Sequence, residues 1–249
     1  MYFLVLIIGL CIGSFLNVCI YRIQKEESIA FPGSHCTSCG HELKTYELVP
    51  VLSYIFLRGK CIKCKDKISI KYPLVEILNG LLYTLLFIKY GLSFNFVFYC
   101  LLVSLLIVIS IIDLESKFIY SSTTMLGVLL AVIYIIIGAY LGEVKILNNL
   151  LGGLIGYGII FLIVILTGAM GEGDADIAGI CGLFMGIKGI LVTLFMAIIL
   201  GGIFASIALI LKLKDRKSEI AFGPYIAMGT LVWMLIGEEI LRLYTSFFI

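Results

Sequence analysis

Long apolar runs follow one another along almost the whole chain, and they indicate the class of fold. Short polar stretches separate the runs, except for one longer polar segment after the first run. Most runs are close to the ~20 residues that a helix needs to cross ~30 Å of hydrocarbon. The runs occupy residues 1–21, 74–91, 94–112, 122–141, 147–168, 175–187, 189–211 and 222–241. This pattern predicts an all-α integral membrane protein, a bundle of about eight transmembrane helices.

The apolar stretch 175–211 is too long for a single span. As one helix it would be about 55 Å long, nearly twice the thickness of the hydrocarbon core. We therefore predict a break near Gly186, Lys188 and Gly189, which divides the stretch into a short span and a long one. Glycines inside the spans, as in LGGLIGYG, predict that neighbouring helices approach each other closely.

Composition agrees with a membrane protein and argues against a nucleic acid as partner. Of the 249 residues, 61% are hydrophobic and only 14% are charged, whereas about a quarter of the residues are charged in soluble domains. The formal net charge is only +2, too small to attract a polyanion. The first run has no basic residue before it and no small-residue cleavage site after it, so we interpret it as a retained span.

The basic residues are distributed unevenly between the two sides of the predicted bundle. Basic loops stay in the cytoplasm, and this rule places the N-terminus outside. The residues on the cytoplasmic side are then Arg22, Lys25, Lys44, Arg58, Lys60, Lys63, Lys65, Lys67, Lys71, Lys117, Lys212, Lys214, Arg216 and Lys217. Those on the outer side are Lys89, Lys145, Lys188 and Arg242. We predict a first helix at 1–21, a cytoplasmic loop domain at 22–73 and a seven-helix membrane domain at 74–249.

Two close pairs of cysteines, CTSC and CIKC, lie in the polar segment 22–73. Their members are Cys36, Cys39, Cys61 and Cys64. Two such knuckles are typical of a small ribbon around one tetrahedral zinc ion. A segment of this size is too small to be stable without a bound metal ion or a similar cross-link. We predict a zinc-ribbon-like domain with these four ligands. The alternatives are redox-active or disulfide pairs, and replacement of one cysteine ligand by His35 or His41.

Carboxylates at two places beside the apolar runs are candidates for chemistry. Asp113 ends the third run in SIIDLES, and GEGDAD at 171–176 opens the sixth. Acidic residues within or at the end of a span are costly and usually functional. The charge distribution puts both places at the cytoplasmic face, so packing can bring Asp113 and Asp174 together. Glu76, near the start of the second run, is interpreted as a helix cap or an ion-pair partner of the basic loop.

Two aspartates that face each other in a partly dry cavity share a proton. An aspartic protease needs such a pair, because one carboxylate takes a proton from water while the other, protonated, polarises the scissile carbonyl. Gly171 and Gly173 are expected to allow an unwound backbone around Asp174. Alternatively, Asp174 caps a helix N-terminus, or Asp176 replaces it in the pair. Glu115 is expected to be solvated.

Together, these residues resemble those of the type IV prepilin peptidases, membrane aspartic proteases of the GxGD class. Six blocks in the family's order carry the resemblance, at residues 13–22, 35–64, 68–76, 112–116, 171–174 and 222–229. The resemblance implies that Asp113 and Asp174 are the catalytic pair. It also implies a substrate, the leader of a prepilin or competence pseudopilin and the hydrophobic helix that follows it, cut on the cytoplasmic side of a bacterial plasma membrane. A further implication is N-methylation of the new N-terminus with S-adenosylmethionine.

The sequence departs from the family's pattern at two places. Tyr120 and Ser121 stand where the family usually has Pro-Asp, and Asp176 stands where it usually has lysine. Because an anion replaces a cation beside Asp174, we expect a shifted pH optimum or a different partner cation. A proton-coupled transporter and a non-catalytic assembly factor of a pilus or secretion machine are the alternative functions.

Overall fold

The computed structural model describes residues 1–168, 170–211 and 221–248. Helices account for most of these residues, and no β-strand is formed among them. The long helices are α1 (Tyr2–Gln24), α3 (Lys71–Tyr90), α4 (Phe94–Ser116), α5 (Ser121–Tyr140), α6 (Ile146–Thr167), α7 (Glu172–Ile210) and α8 (Gly223–Phe248). Between α1 and α3 lie a short 3-10 helix (Thr45–Glu47) and α2 (Leu52–Phe56). The all-α prediction is confirmed.

Six of the described helices are long and apolar enough to cross a membrane, judged by length and composition. They are α1, α3, α4, α5, α6 and α7. Each predicted apolar run falls on one long helix, except that 175–187 and 189–211 both fall on α7. The chain is therefore a multi-pass membrane protein. The predicted cytoplasmic residues Lys212, Lys214, Arg216 and Lys217 lie outside the described residues.

Gly186 interrupts α7 where the length of the apolar stretch predicted a break. Its φ of 68° and ψ of −174° are not helical, and they belong to a region that only glycine adopts readily. Just before the break, the Asn149 side chain of α6 donates to the carbonyls of Leu183 at 2.8 Å and Phe184 at 3.2 Å. Asn149 thus supplies donors to carbonyls at an interrupted helical ladder, where intrahelical partners are missing.

The chain divides into two compact units, Met1–Val108 and Ile109–Ile249. In the first unit α1 and α3 pack closely, because a Cβ atom added at Gly9 would lie 2.7 Å from the Cα of Gly80. The Asn79 side chain donates to the Gly9 carbonyl at 2.7 Å across the same contact. The domain boundaries predicted from the sequence at residues 21 and 73 differ from this division and stay a prediction.

In the second unit α6 packs closely on α7 through small residues. A Cβ atom at Gly182 would overlap the Gly152 carbonyl, and one at Gly156 would overlap the Ala178 carbonyl. Helices of membrane proteins associate through such small-residue contacts, which let their backbones approach. The close approach predicted from the glycine-rich spans is therefore confirmed.

Candidate active site and metal site

Asp113 and Asp174 lie in the same compact unit, and both are buried. Asp113 stands near the C-terminal end of α4, and Asp174 stands in the first turn of α7. Their exposed fractions are 4% and 5%. The Asp113 carboxyl group acts electrostatically on Asp174. The structure thus brings together the two acids that the sequence singled out.

The backbone amide at the start of α8 contacts this pair. The Gly223 N–H donates to Asp113 Oδ2 at 3.1 Å, and it also acts on the Asp174 carboxyl group. A Cβ atom at Gly223 would lie 2.8 Å from Asp113 Oδ2 and 3.1 Å from Ile177 Cδ1. Glycine therefore lets the amide approach the acids. The sequence did not predict this contact, because the donor is a backbone N–H, which no particular residue type marks.

One oxygen of the pair has no hydrogen-bond partner. Asp174 Oδ1 is buried, and none of the residues that the structure describes donates to it. Buried polar atoms are normally paired, and leaving one unsatisfied costs ~1–3 kcal/mol. A water molecule or a substrate group with a donor would satisfy this oxygen, which is the behaviour expected of a reactive site rather than of a structural one.

The sequence predicted an unwound backbone around Asp174. This prediction is wrong, because the non-helical backbone ends before Asp174. Gly171 is extended, with φ −78° and ψ 151°, and α7 begins at Glu172. Asp174 lies in the first helical turn, but its side chain does not cap the helix. Gly173 is required for packing instead, because a Cβ atom there would come within 2.7 Å of the Ile119 Cβ.

The other acids of the two motifs are exposed. Glu115 on α4 and both Glu172 and Asp176 on α7 are exposed, whereas Asp113 and Asp174 are buried. The buried partner of Asp113 is therefore Asp174 and not Asp176. The pH shift expected from the Asp176 departure stays a prediction. Tyr120, where the family usually has proline, does not prevent α5 from forming. The hydroxyl and the amide of Thr123 both donate to the Tyr120 carbonyl at the start of this helix.

Glu76 has a different role from the two that the sequence suggested. It is buried inside α3, which begins at Lys71, and among the described residues it forms no ion pair. Its Oε2 accepts the Val51 N–H at 2.7 Å. Glu76 thus holds the segment before α2 against α3. The cap and ion-pair interpretations are wrong, because Glu76 lies inside α3 and its carboxylate binds the Val51 backbone amide.

The four predicted cysteine ligands form one cluster. Their Sγ atoms all lie within 4.8 Å of one another, with 3.8 Å between Cys36 and Cys64 and 4.0 Å between Cys39 and Cys61. Four sulfurs bound at about 2.3 Å to a tetrahedral zinc ion are about 3.8 Å apart. Disulfide sulfurs are only ~2.05 Å apart. The cluster therefore fits a metal ion and not two disulfides.

Each cysteine pair lies in a tight turn with the same hydrogen bonds. The Cys36 N–H donates to the His41 carbonyl at 2.8 Å, and the Cys61 N–H donates to the Asp66 carbonyl at 2.9 Å. Gly40 and Lys65 occupy matching positions with φ of 68° and 62°. Hydrogen bonds from the backbone amides of Cys64 and Lys63 lower the pKa of the Cys61 thiol to about 6. A thiolate is the form that binds a metal.

Neither histidine joins the cysteine cluster. His41 Nε2 lies 3.2 Å from Glu47 Oε2, and His35 Nδ1 lies 3.0 Å from the Gly33 carbonyl. The Lys44 backbone amide, which donates to the Glu47 carboxylate at 2.9 Å, lowers the pKa of Glu47, and His41 adds to this effect. The alternative with a histidine ligand is not supported.

Comparison with known proteins shows the family. Residues 7–90 match the family model described as the bacterial peptidase A24 N-terminal domain, and residues 100–206 match the type IV leader peptidase family. A prepilin leader peptidase/N-methyltransferase of Pseudomonas putida is 30% identical over 269 residues, which cover 96% of this chain and 92% of the relative. The chain belongs to the type IV leader peptidase family.

Other relatives of this leader peptidase bear the same name. The one from Neisseria gonorrhoeae is 30% identical over 266 residues, covering 95% of this chain and 91% of the relative. The one from Bacillus subtilis (strain 168) is 29% identical over 246 residues, covering 96% and 95%. No solved structure matches the chain. Asp113 and Asp174 both lie in the part matched by the leader peptidase model, and the cysteine cluster lies in the part matched by the N-terminal domain.

Proposed function

We propose that this protein is an aspartic endopeptidase that removes the leader peptide of prepilin-like or competence pseudopilin proteins, and that it also N-methylates the new N-terminus. One observation carries the protease: two buried carboxylates from distant segments, Asp113 and Asp174, meet at the Gly223 amide. The printed names of the relatives support both the substrate class and the second activity.

In the proposed cleavage, the two acids act on one water molecule and one peptide bond. One carboxylate takes a proton from the water as its oxygen attacks the carbonyl carbon, while the other, protonated, donates to the carbonyl oxygen. The C–N bond of the tetrahedral intermediate then breaks as the carboxyl group that took the proton from water gives it to the leaving amine, and the proton on the former carbonyl oxygen returns to the other carboxylate. The Gly223 amide orients Asp113, and the unpartnered Oδ1 of Asp174 is available to the water.

We assign the cysteine cluster to a structural zinc ion. The ligands would be Cys36, Cys39, Cys61 and Cys64. A zinc ion with four thiolates has no open coordination position, so it stabilises a fold and does not take part in chemistry. S-adenosylmethionine would supply the methyl group, whose carbon bonds to the amine nitrogen as the sulfur–methyl bond breaks with its electrons left on sulfur and a proton leaves the nitrogen.

We place the aspartate pair and the cysteine-bearing segment at the cytoplasmic face, with the N-terminus outside. The support is the excess of Lys and Arg residues in the corresponding loops of the sequence. The hydrophobic N-terminal helix of the substrate would then lie in the bilayer beside the spans, with its leader in the cytoplasm. This arrangement explains why the acids stand at the end of α4 and the beginning of α7.

Replacement of each aspartate by asparagine tests the cleavage proposal. Asp113→Asn and Asp174→Asn keep the size of the side chain but remove the acid, so we expect cleavage of a co-expressed prepilin to fall by about 100-fold or more. Mass spectrometry of the prepilin reports the cleavage position and any added methyl group. Glu115→Gln and Glu172→Gln are matched controls, each an exposed acid two residues from one of the pair. Normal cleavage by either aspartate variant would exclude this mechanism and favour an assembly factor or a transporter.

A further inference from the structure

The short helix α2, in the cysteine-bearing segment between α1 and α3, turns its apolar side away from the protein. Leu52, Ile55 and Phe56 share one face of this helix, and they are 52%, 61% and 79% exposed. Tyr54 lies on the other side and, together with Glu47, lines a cavity of about 620 Å³. A helix on the surface of a soluble domain turns its apolar face to the core. The exposed face of α2 is therefore suited to an apolar environment outside the protein.

Both ends of the cysteine-bearing segment emerge on the same side of the membrane. The helices before and after it, α1 and α3, are each long and apolar enough to cross a membrane. They pack side by side and run in opposite directions. Gly9 of α1 lies against Gly80 of α3, and one turn later Gly13 lies against Glu76. The segment that joins them therefore stays next to one membrane surface.

A hydrogen bond holds the start of α2 at the level of the first turns of α3. The Val51 N–H donates to Glu76 Oε2 at 2.7 Å, and Glu76 stands five residues after Lys71, where α3 begins. Five residues correspond to ~7.5 Å along the helix axis, and helical side chains lean towards the N-terminus. The helix α2 thus lies beside the end of a span and not beyond it. Amphipathic helices at this level insert their apolar face into the lipid.

Another part of the cysteine-bearing segment is held farther out. The Arg22 guanidinium binds backbone carbonyls between residues 28 and 33. Arg22 stands nine residues, or ~13 Å, further along α1 than Gly13, which lies against α3 at the level described above. Phe31 belongs to this outer part and is 80% exposed. The segment therefore offers two equally exposed phenylalanines, Phe56 near the level where the spans end and Phe31 farther from it.

Basic side chains that follow α2 favour an anionic lipid as its partner. Arg58 and Lys60 are both exposed, and neither forms an ion pair within the described part of the chain. Residues 48–65 contain no Asp or Glu. Lysine and arginine residues beside a membrane surface are attracted to anionic headgroups, and interfacial helices combine them with an apolar face. An apolar helix of another protein would match the apolar face but not these cations.

We propose that α2 anchors the cysteine-bearing segment to the membrane surface. Leu52, Ile55 and Phe56 insert among the lipid acyl chains, while Arg58 and Lys60 bind anionic headgroups. This anchor holds the cysteine cluster and the cavity behind α2 close to the bilayer. The inference depends on α1 and α3 crossing the membrane and not on leader cleavage. In the orientation proposed above, the surface is the cytoplasmic leaflet.

Fluorescence quenching by brominated lipids tests the insertion of α2. Trp233 is the only tryptophan of the chain, so Trp233→Phe gives a full-length background without an indole. In this background, Phe56→Trp places an indole on α2, and Phe31→Trp places one at the equally exposed outer position. Each protein is reconstituted in vesicles of phosphatidylcholine brominated on its acyl chains. We expect lipid to quench Phe56→Trp about threefold more strongly than Phe31→Trp, because only the first indole reaches the acyl chains.

The same indole reports the preference for headgroups. A small fraction of brominated phosphatidylglycerol in plain phosphatidylcholine should quench Phe56→Trp about twofold more strongly than the same fraction of brominated phosphatidylcholine, since the cations concentrate anionic lipid nearby. Arg58→Gln combined with Lys60→Gln should remove this difference. Lys25→Gln is the control, because it removes an exposed charge just after the end of α1, and it should leave the difference unchanged.

Three results would contradict the inference. Equal quenching of the two indoles by lipid would show that α2 does not insert. An indole in Phe56→Trp that lipid does not quench, but whose emission shifts to the blue when a prepilin is added, would make the substrate helix the partner of this face. A preference for phosphatidylglycerol that survives the change of both Arg58 and Lys60 would exclude these residues as the headgroup site.

Discussion

Asp113 depends on a glycine that is 110 residues away in sequence. The amide of Gly223 reaches the Asp113 carboxylate only because no side chain stands between α8 and the acid. A hydrogen bond to a carboxylate both orients it and stabilises its charge. At the level of single residues, the proposed active site therefore consists of two acids and one main-chain donor.

Replacing Gly223 by alanine should damage the site without removing either acid. The added methyl group would lie 2.8 Å from Asp113 Oδ2 and must displace the carboxylate or α8. We expect leader cleavage to fall about tenfold or more, because small displacements of reacting groups cost 10²-fold in rate in other enzymes. The measurement is the initial rate of cleavage of a purified prepilin. Gly202→Ala is the control, since a Cβ atom there meets nothing within 4 Å; equal rates for the two variants would contradict the role of Gly223.

Among the helices, α7 consists of two helical segments that meet at the break at Gly186. Its 39 residues would overshoot a bilayer if straight, and Gly186 provides the change of direction. Asn149 supports that break from α6 by donating to two carbonyls. An irregular helix at membrane depth is tolerated only where neighbouring side chains satisfy the freed carbonyls.

We expect Asn149→Ala to destabilise the second compact unit. The change leaves the carbonyls of Leu183 and Phe184 without these donors, and hydrogen bonds between membrane helices contribute ~1–2 kcal/mol. Thermal unfolding in detergent should show a lower midpoint than the wild type. Ser206→Ala is the comparison, because that exposed hydroxyl donates within its own helix, to the Gly202 carbonyl. If the two variants unfold together, Asn149 does not support the break.

The two cysteine knuckles form the other element whose role can be measured directly. We expect one zinc ion per chain in the wild type and a large loss of zinc in Cys39→Ser, since a hydroxyl group is a poor replacement for a thiolate ligand. Elemental analysis of the purified protein is the measurement, and protease sensitivity of residues 22–73 should rise in parallel. Cys11→Ser, an exposed cysteine outside the cluster, should keep its metal. If Cys39→Ser keeps the metal content of the wild type, the assignment of a zinc ion to the cysteine cluster is wrong.

At the scale of the whole molecule, the unequal distribution of basic residues leads us to predict the orientation. We expect a reporter enzyme that is active only outside the cytoplasm to be active when fused after Gly142 and inactive when fused after Lys117. These two positions flank α5, so they must lie on opposite sides if this helix spans the membrane. The opposite pattern of activities would invert the topology and move the proposed site to the outer face.

Several features could be predicted from the sequence because they depend on neighbouring residues. The length of the apolar runs predicted the helices, the 37-residue stretch from 175 to 211 predicted the break at Gly186, and the spacing of Cys36, Cys39, Cys61 and Cys64 predicted the cluster. The unwound segment through Gly173 and the cap at Glu76 were wrong, since both depended on which parts of the chain pack against those residues.

The order of residues is enough to predict a helical membrane protein with paired thiols in one polar segment, because hydrophobic length and cysteine spacing are local properties of the chain. The folded structure was needed to show that the Gly223 amide joins the two aspartates, that Glu76 binds Val51, and that a cavity opens beside Glu47. These features depend on contacts between residues that are distant in sequence. Helix packing creates such contacts, but the hydropathy pattern does not specify them, because apolar residues of similar size would give the same pattern in many other arrangements of the helices.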